Sequence, residues 1–509
     1  MMLRMLDAED NPHSNPRRHN YGIASTDVDN DGEFELLVAG YSCANLLLKW
    51  DRETQQLYNL AVDDPASPYY ELRDSMGSAV GVAAADIDGD GREEIYVVNS
   101  NQAFSGRSTY SDKLFKFRNG RYEDLLADPI NRHVATLYAG RSVACIDRSG
   151  TGKFSFYVAN YAKGNVAPHE LIEMDESRSD VPKGIVALKN VAREAGVEKF
   201  TGGRGVAVGP ILSLDGRLDI FCNNEKGSNF LYKNNADGTF TDVSAQSGVD
   251  DPQEHGRGIA LADLDGDGKV DIVWGNWNGP QRMFVQRTRN GVIRFEDVAP
   301  EVFSRPCPIR SLLIGDFDND SNLEIVFNTS ACDGPFCNKL FRVCTARLGE
   351  NPLVTQLDIG DAEEEYGMGT GGVVADINGD GRLELVMSHG EWAKQPLTIY
   401  NATQGIKNCF LRVMPVTQFG APARGARVEL HTANLGPHLR IIDAGSGYLS
   451  QMEPVAHFGL GTDVPVRLEV TWPDGSFYSQ PLGLQDLDTF ITVNHPSWVG
   501  ASGFSFRER

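Results

Sequence analysis

The chain has 509 residues and a formal net charge of −23, with 47 Lys and Arg against 70 Asp and Glu, and 41% of its residues are hydrophobic. That apolar content is enough to bury a core, which excludes a disordered chain, and the acidic balance argues against a nucleic-acid partner. No run approaches the roughly 18 apolar residues of a membrane-spanning helix, so we expect no membrane span.

The first segment, residues 1–19, is polar and becomes basic towards its end. It has no apolar stretch of the kind found in a signal peptide. Residues 1–6 are a short and poor candidate for the β-strand that would complete the last repeat unit described below. We therefore expect this strand to be incomplete, and we expect native N-terminal residues, including a signal peptide, to precede this sequence.

Copies of one unit follow from residue 20 to residue 405. A short apolar strand, an acidic loop, a second strand, a turn and further strands recur every 53 to 63 residues. The strands are enriched in β-branched and aromatic residues, and four short strands at this period are typical of a propeller blade. The units begin near Tyr21, Val80, Arg141, Arg204, Arg257, Arg310 and Gly371. We predict an all-β, seven-bladed β-propeller; an open solenoid of the same units is the alternative.

The seventh unit lacks an evident fourth strand, whereas units one to six have one. Propellers often complete such a blade with a strand from the N-terminus.

Five of the acidic loops place oxygen-bearing side chains at positions 1, 3, 5 and 9, usually with glycine at position 6. A loop that curls in this way directs the alternate side chains to one point, and position 7 offers its backbone carbonyl. The predicted ligands, position 7 included, are Asp27, Asp29, Asp31, Glu33 and Glu35; Asp86, Asp88, Asp90, Arg92 and Glu94; Asp263, Asp265, Asp267, Lys269 and Asp271; Asp316, Asp318, Asp320, Asn322 and Glu324; and Asp376, Asn378, Asp380, Arg382 and Glu384.

An all-oxygen donor set favours Ca²⁺ over Zn²⁺ or Cu²⁺, and Mg²⁺ fits less well because it requires a smaller octahedron. We predict about five structural Ca²⁺ ions, which would change the net charge from −23 to −13. The alternative is a set of Asp/Gly-rich turns without metal. An EF-hand is excluded because its loop needs a glutamate at position 12. In these loops position 12 is Val38, Val97, Trp274, Phe327 or Met387.

The loops of the third and fourth units have lost most of these ligands. The third has Asp147, Ser149, Thr151 and Ser155 at the four positions, which leaves one carboxylate. In the fourth, residues 210–219 are mostly apolar. We expect both loops to bind no ion.

Residues 406–496 alternate apolar and polar positions over several strands separated by Gly/Pro turns, which predicts a small β-sandwich. A polar tail, residues 497–509, follows it.

The repeats resemble the FG-GAP/VCBS repeats of integrin α-chain propellers, and residues 409–495 resemble the ASPIC/UnbV domain through HLRIIDAGSGYLSQMEPVAHFGLG from His438 and VTWPDG from Val470. In this order the two are similar to the cartilage acidic protein family. The resemblance implies a secreted protein with a calcium-filled propeller and a transthyretin-like sandwich. It also implies a place in the extracellular matrix or at neuronal surfaces, where some members antagonise Nogo-type receptors. Typical members also have a signal peptide and an EGF-like module, which this sequence does not show.

The eight cysteines are too few for a disulfide scaffold. Cys145 and Cys222 lie in apolar strands and are predicted to be buried free thiols, while Cys332 and Cys337 either close a small loop or remain free. Asn328 and Asn401 begin N-x-S/T sequons, which matter only in a secreted chain.

No catalytic constellation is evident among the ten histidines, and His389 is expected to end a strand on the rim. We therefore expect a non-catalytic extracellular interaction module whose partner is a protein receptor or a matrix component. The sequence does not indicate its oligomeric state. A glycan-binding or glycan-processing propeller is the alternative, as is a purely structural matrix component.

Overall fold

The computed structural model describes residues 2–6, 15–101, 104–289, 292–345, 347–405 and 407–498. Within these residues the fold is all-β. Seven four-stranded antiparallel sheets are followed by a smaller domain of two sheets. The predicted tail lies outside the described residues from position 499 onwards.

The seven four-stranded sheets are the blades of the propeller. Their strands, from the innermost to the outermost, are Asn20–Thr26, Glu35–Gly40, Leu46–Asp51 and Gln56–Asn59 in blade 1; Ala79–Ala85, Glu94–Asn99, Lys113–Arg118 and Arg121–Asp124 in blade 2; Gly140–Ile146, Ser155–Asn160, Glu170–Met174 and Leu188–Asn190 in blade 3; Gly203–Gly209, Asp219–Asn224, Phe230–Asn234 and Phe240–Asp242 in blade 4; Gly256–Ala262, Asp271–Asn276, Arg282–Arg289 and Val292–Asp297 in blade 5; Ile309–Gly315, Leu323–Thr329, Lys339–Cys344 and Leu353–Leu357 in blade 6; and Gly369–Ala375, Glu384–His389, Thr398–Ala402 and Met2–Leu6 in blade 7.

Helical structure is limited to single turns between strands. The two α-helical turns and the seven 3₁₀ turns of the described residues are Ser244–Ser247, Glu301–Ser304, Tyr70–Arg73, Leu125–Ala127, Pro129–Asn131, Glu176–Arg178, Val181–Lys183, Asp361–Glu363 and Leu484–Asp486. No helix in the described part of the chain is long and apolar enough to cross a membrane.

The ring closes through the N-terminal segment. Met2–Leu6 pairs antiparallel with Thr398–Ala402 and so forms the outer strand of blade 7. The inner strands of blades 7 and 1 then pack side by side like every other neighbouring pair. Residues 1–6, expected to be a short and poor candidate for the closing strand, do supply it. The third strand of this blade has only five residues, and main-chain pairing of the same length satisfies its edge.

The C-terminal sandwich packs a three-stranded sheet on a four-stranded one. The strands of the first sheet are Ala456–Gly461, Cys409–Pro415 and Thr489–Val493; those of the second are His438–Ile441, Arg427–Thr432, Pro465–Thr471 and Phe477–Pro481. Leu411 and Phe458 of the first sheet share a buried core with Val428, Val470 and Trp472. The closer likeness to transthyretin stays a prediction.

The sandwich lies on the face of the propeller that contains the acidic loops, hereafter the loop face. Arg424 is fully buried, and its guanidinium donates to Glu93 of the blade 2 loop at 2.8 Å and to the carbonyl of Ser25 at 3.0 Å. Arg412 donates to Asp376 of the blade 7 loop at 2.8 Å. Two domains that differ in sequence pattern are therefore joined by buried ion pairs.

Residues 443–453 of the sandwich, hereafter the channel segment, run into the centre of the propeller. The backbone of Gln451 exchanges hydrogen bonds with blade 1, accepting from Ser25 at 3.1 Å and donating to Ile23 at 2.9 Å. Gly447 donates to the carbonyl of Ile259 in blade 5 at 2.7 Å. Further bonds reach blades 2, 3, 6 and 7, to Val82, Cys145, Leu312 and Gly372. The channel segment thus satisfies inner-strand groups that would otherwise face the open channel.

The opposite face, hereafter the free face, is formed by the loops between second and third strands and between blades. Its exposed apolar side chains include Met76, Phe104, Leu137, Phe200, Tyr366 and Trp392. Phe104 and Trp392 lie in loops of blades 2 and 7, and the other four lie in four different linkers between blades, so the apolar exposure is spread around one rim.

The cysteines and sequons take the following places. All eight cysteines are free thiols, with Cys145 and Cys222 buried as predicted and Cys332 and Cys337 unpaired. Asn328 is buried, and its amide donates to the carbonyl of Gly371 at 2.9 Å, so the folded chain does not expose this sequon.

Replacing Gly258 with Ala should destabilise the protein. The added Cβ would lie 2.2 Å from the carbonyl oxygen of Gly447 and 2.4 Å from the amide nitrogen of Leu312, both main-chain atoms that cannot rotate away. Overpacking of this kind costs about 1–3 kcal/mol, which a thermal melt will detect. Gly436→Ala is the matched control, because its Cβ approaches only the end of the Leu348 side chain, at 3.2 Å. Equal melting temperatures for the two variants would show that the channel segment is not held tightly.

Candidate metal centre

The five acidic loops share one backbone conformation, fixed by three hydrogen bonds that recur in each. The N–H of position 6 donates to the position 1 carboxylate at 2.9 Å in all five. The N–H of position 2 donates to the position 9 carboxylate at 2.7–3.1 Å. The N–H of position 7 donates to the position 5 carboxylate at 2.9–3.0 Å. The predicted ligand positions therefore form equivalent sites.

Two residues of each loop adopt the left-handed conformation. Position 6 has φ of +77° to +89°, and position 4 has φ of +55° to +79°. Glycine or asparagine tolerates this region best, which explains the Gly or Asn at position 4 of every loop. Only Ser321 departs from glycine at position 6, and its hydroxyl donates to the carbonyl of Gly459 at 2.9 Å, which ties this loop to the sandwich.

In four loops the carboxylates converge on one point. One oxygen from each of three residues lies within 4.8 Å of the other two. The groups are Asp27, Asp29 and Glu35; Asp86, Asp88 and Asp90; Asp263, Asp265 and Asp271; and Asp316, Asp318 and Asp320. The spacing in the sequence thus brings these carboxylates together, and their role as metal ligands stays a prediction.

The fifth loop, in blade 7, differs from the others. Asn378 contributes an amide, which donates to Glu384 at 3.2 Å, and Asp376 accepts from Arg412 of the sandwich at 2.8 Å. One of its predicted ligands is thus already paired with a side chain of the other domain.

The site carboxylates lie in surroundings that disfavour their charge. Burial, together with the charges of Asp88 and Asp90, raises the pKa of Asp86 to about 7. Burial also raises the pKa of Glu35 to about 8, with a further contribution from Asp29. A bound cation would offset both effects, because it supplies the opposite charge at the point where the oxygens converge.

Basic side chains that the sequence reasoning missed reach these sites from the third strands. The ammonium of Lys49 lies 2.5, 2.6 and 3.0 Å from Asp29, Asp31 and Glu35. Lys116 lies 2.6–2.8 Å from Asp88, Asp90 and Glu94 in the same way. Arg342 contacts the blade 6 carboxylates and Arg287 contacts Asp265. The signal was available in the sequence, since each basic residue follows the apolar residues of its third strand.

The contacts with basic side chains bear on whether these sites suit a metal ion. Each ammonium or guanidinium stands where a cation would bind, so the donor set attracts positive charge. Five buried site oxygens have no hydrogen-bond partner among the described residues, although the second and third lie beside Lys49 and Lys116: Asp29 Oδ1, Glu35 Oε1, Asp88 Oδ2, Asp263 Oδ1 and Asp318 Oδ1. Carboxylate oxygens of this kind suit a hard divalent cation.

In the two loops that were predicted to bind no ion, the remaining carboxylate accepts hydrogen bonds from main-chain N–H groups. The Asp147 carboxylate accepts from the N–H groups of Thr151 at 3.0 Å and Gly152 at 2.6 Å. Asp219 accepts from the N–H groups of Leu212 at 2.8 Å and Asn234 at 2.9 Å.

Known proteins similar to this chain agree with the architecture. The FG-GAP-like repeat model matches residues 27–97, 212–274 and 263–327, and the ASPIC and UnbV model matches residues 417–496. Cartilage acidic protein 1 of Xenopus tropicalis is 57% identical over 485 residues, which cover 95% of this chain and 75% of the relative. Cartilage acidic protein 1 of Homo sapiens is 58% identical over 485 residues, covering 95% and 73%.

Among solved structures, the BP39L lectin from Burkholderia pseudomallei has a TM-score of 0.44 and 10% identity over 76% of this chain and 98% of its own. At that level the likeness carries no functional information.

The fold and the loops define a β-propeller of FG-GAP-like repeats with an ASPIC/UnbV sandwich. The chain belongs to the cartilage acidic protein family, whose name is that of an extracellular-matrix protein.

We expect Lys116→Met to strengthen divalent-cation binding in the blade 2 loop at least tenfold, because the variant removes a positive charge that occupies the cation position. Isothermal titration should show one site changed. Lys113→Met is the matched control, because Lys113 lies in the same strand but contacts Asp124, at 3.1 Å, outside the loop. Unchanged affinity in Lys116→Met would mean that the ammonium and the ion do not compete.

Proposed function

We propose that this protein is a non-catalytic, calcium-stabilised extracellular interaction module whose propeller presents its free face to a protein receptor or matrix component. The observation that carries the proposal is the difference between the two faces of the propeller in what packs on them and in what they expose. The sandwich packs on the loop face, where Leu214 and Leu348 are still exposed, whereas the free face exposes several aromatic side chains, among them Phe104, Tyr366 and Trp392.

Calcium would act as a structural ion. About five Ca²⁺ ions would be held by the side chains at positions 1, 3, 5 and 9 of the five loops, with the position 7 carbonyls as further donors. Each ion would neutralise carboxylates whose charge is disfavoured by burial. Because the sandwich docks on these same loops, bound ions would stiffen both the blades and the domain interface.

The loop face leaves little room for a protein partner. Arg427 of the sandwich donates to the carbonyl of Gly268 in the blade 5 loop at 2.6 Å, and Gln418 donates to the carbonyl of Thr151 in blade 3 at 2.5 Å. A partner therefore has easier access to the free face, where Trp392 is 70% exposed and Phe104 is 60% exposed. Exposed aromatic residues of this kind are enriched at binding hot spots.

A non-catalytic role is supported by the place of the most suggestive histidine. His389 ends the strand Glu384–His389 and is buried, with Nε2 3.0 Å from the hydroxyl of Thr398 and 3.4 Å from Glu364. These contacts place His389 in a buried network, which supports a structural role for it. The family resemblance adds neuronal surface receptors, including Nogo-type receptors, to the partners that should be tested.

Removal of calcium should lower the melting temperature by many degrees, because carboxylates that converge within 4.8 Å repel one another and the single ammonium at a site such as that of Lys49 or Lys116 offsets only part of that repulsion. Thermal melts in calcium and in chelator measure this directly. Identical curves would remove calcium from the proposal.

Asp265→Ala should lower the number of bound ions by one and leave the remaining fold intact, because repeat units share stability with their neighbours. Asp237→Ala, at an exposed turn of blade 4, is the control and should keep every site. Complete unfolding of Asp265→Ala would contradict the view that each repeat unit shares stability only with its neighbours.

Trp392→Ser combined with Phe104→Ser should weaken binding to cell-surface or matrix partners at least tenfold without changing the calcium-dependent melt. An unbiased binding screen with the calcium-loaded protein identifies the partner first. Phe477→Ser, at an exposed position of the sandwich, is the matched control. Loss of binding only in Phe477→Ser would place the partner on the sandwich instead.

A further inference from the structure

Four arginines occupy one position in neighbouring blades. Arg141, Arg204, Arg257 and Arg310 are the second residues of the inner strands of blades 3, 4, 5 and 6. Inner strands of a propeller run side by side along its axis, so these residues lie at one height, at the free-face end of the channel. In the other three blades the position is Tyr21, Val80 or Thr370.

The backbone at this height does not follow a regular ladder. The pairing register shifts at this height in all seven inner strands, including those that contain Arg141, Arg204, Arg257 and Arg310. A bulge releases a residue from regular pairing, so the residues at this height do not follow the regular alternation of a strand.

Tyr448 of the channel segment is buried and lies in the electrostatic field of the four arginines. Burial raises the pKa of its phenol, but Arg204, Arg257, Arg310 and Arg141 together outweigh burial, and the pKa ends below its ordinary value. All four guanidiniums therefore act on one point in the channel. We call the four arginines and Tyr448 the arginine mouth.

The arginine mouth has more positive than negative charge. Glu225 accepts from Arg204 at 2.8 Å and from Arg257 at 3.0 Å, and Glu391 pairs with Arg310. The guanidiniums of Arg204, Arg257 and Arg310 thus share two carboxylates. Burial and then Arg204 lower the pKa of Arg257 to about 9, which reflects the energetic cost of this crowding.

Donor groups in the arginine mouth remain available. The Nε atoms of Arg257 and Arg310 are buried and have no hydrogen-bond partner among the described residues. The ring of Trp277 lies 4.3 Å from the guanidinium of Arg310 and 5.7 Å from that of Arg257, and such stacking fixes the guanidinium planes. Unpaired donors in fixed planes are arranged for an acceptor with several oxygens.

We propose that the arginine mouth binds an oxyanion, either a carboxylate or a sulfate, carried by a small ligand or by a protruding group of a larger one. Guanidiniums recognise such groups through paired hydrogen bonds. Access is narrow, since the side chains of Arg310 and Glu391 are only 12% and 16% exposed. The site is distinct from the acidic loops, which lie at the other end of the channel.

The test is isothermal titration of the calcium-loaded protein with sodium succinate and with sodium sulfate, against sodium chloride at the same ionic strength. We expect one site for at least one of the two anions, and at least tenfold weaker binding in Arg257→Gln and in Arg310→Gln. Arg193→Gln, which removes an exposed charge paired with Glu198, should bind as the unmodified protein does. Succinate binding alone identifies a carboxylate ligand, sulfate binding alone identifies a sulfate ligand, and binding of both supports the shared chemistry.

A second measurement does not depend on the folding of the arginine variants. Alkaline titration followed by tyrosinate absorbance should show an early step that Tyr448→Phe lacks, and the bound anion should shift that step to higher pH because it offsets the positive field. No binding of either anion, or equal affinity in the arginine variants, would overturn the proposal.

Discussion

The inner edges of the seven blades impose the central constraint on this molecule. Each innermost strand has one edge without a neighbouring strand, and its N–H and C=O groups point into a narrow channel. Groups of this kind cost free energy when they are buried without partners. The channel segment removes that cost, since Gln451 and Gly447 exchange main-chain hydrogen bonds with blades on opposite sides of the ring.

This constraint explains why the sandwich and the propeller share one face. The channel segment belongs to the sandwich, so the sandwich must sit over the end of the channel where that segment enters. The acidic loops lie at that same end, and they supply the partners for Arg424 and Arg412. Charge is therefore sorted along the axis, with carboxylates beneath the sandwich and arginines at the free face.

Much of this arrangement could be predicted from the sequence, because it repeats. The loop ligands recur in phase with the strands, and their spacing alone placed Asp86, Asp88 and Asp90 around one point. The closing strand could not be predicted, because main-chain pairing leaves no side-chain signature. Nor could the role of Gln451, whose partners in blades 1 and 2 lie more than 360 residues away. Its motif identified the family without indicating that it fills the channel.

The basic residues of the third strands show a different limit. Lys49 and Lys116 would normally be assigned to a solvated strand surface, yet both are partly or fully withdrawn from solvent and hold three carboxylates each. Burial lowers the pKa of Lys49, but its hydrogen bonds to Asp29 and Asp31 outweigh burial and raise it. An ammonium in that position keeps the carboxylates compensated before any ion binds. A loop with such a residue can therefore fold without its metal, but one ammonium compensates only part of the charge of three carboxylates, and buried oxygens such as Asp29 Oδ1 and Asp263 Oδ1 still have no hydrogen-bond partner in the described chain.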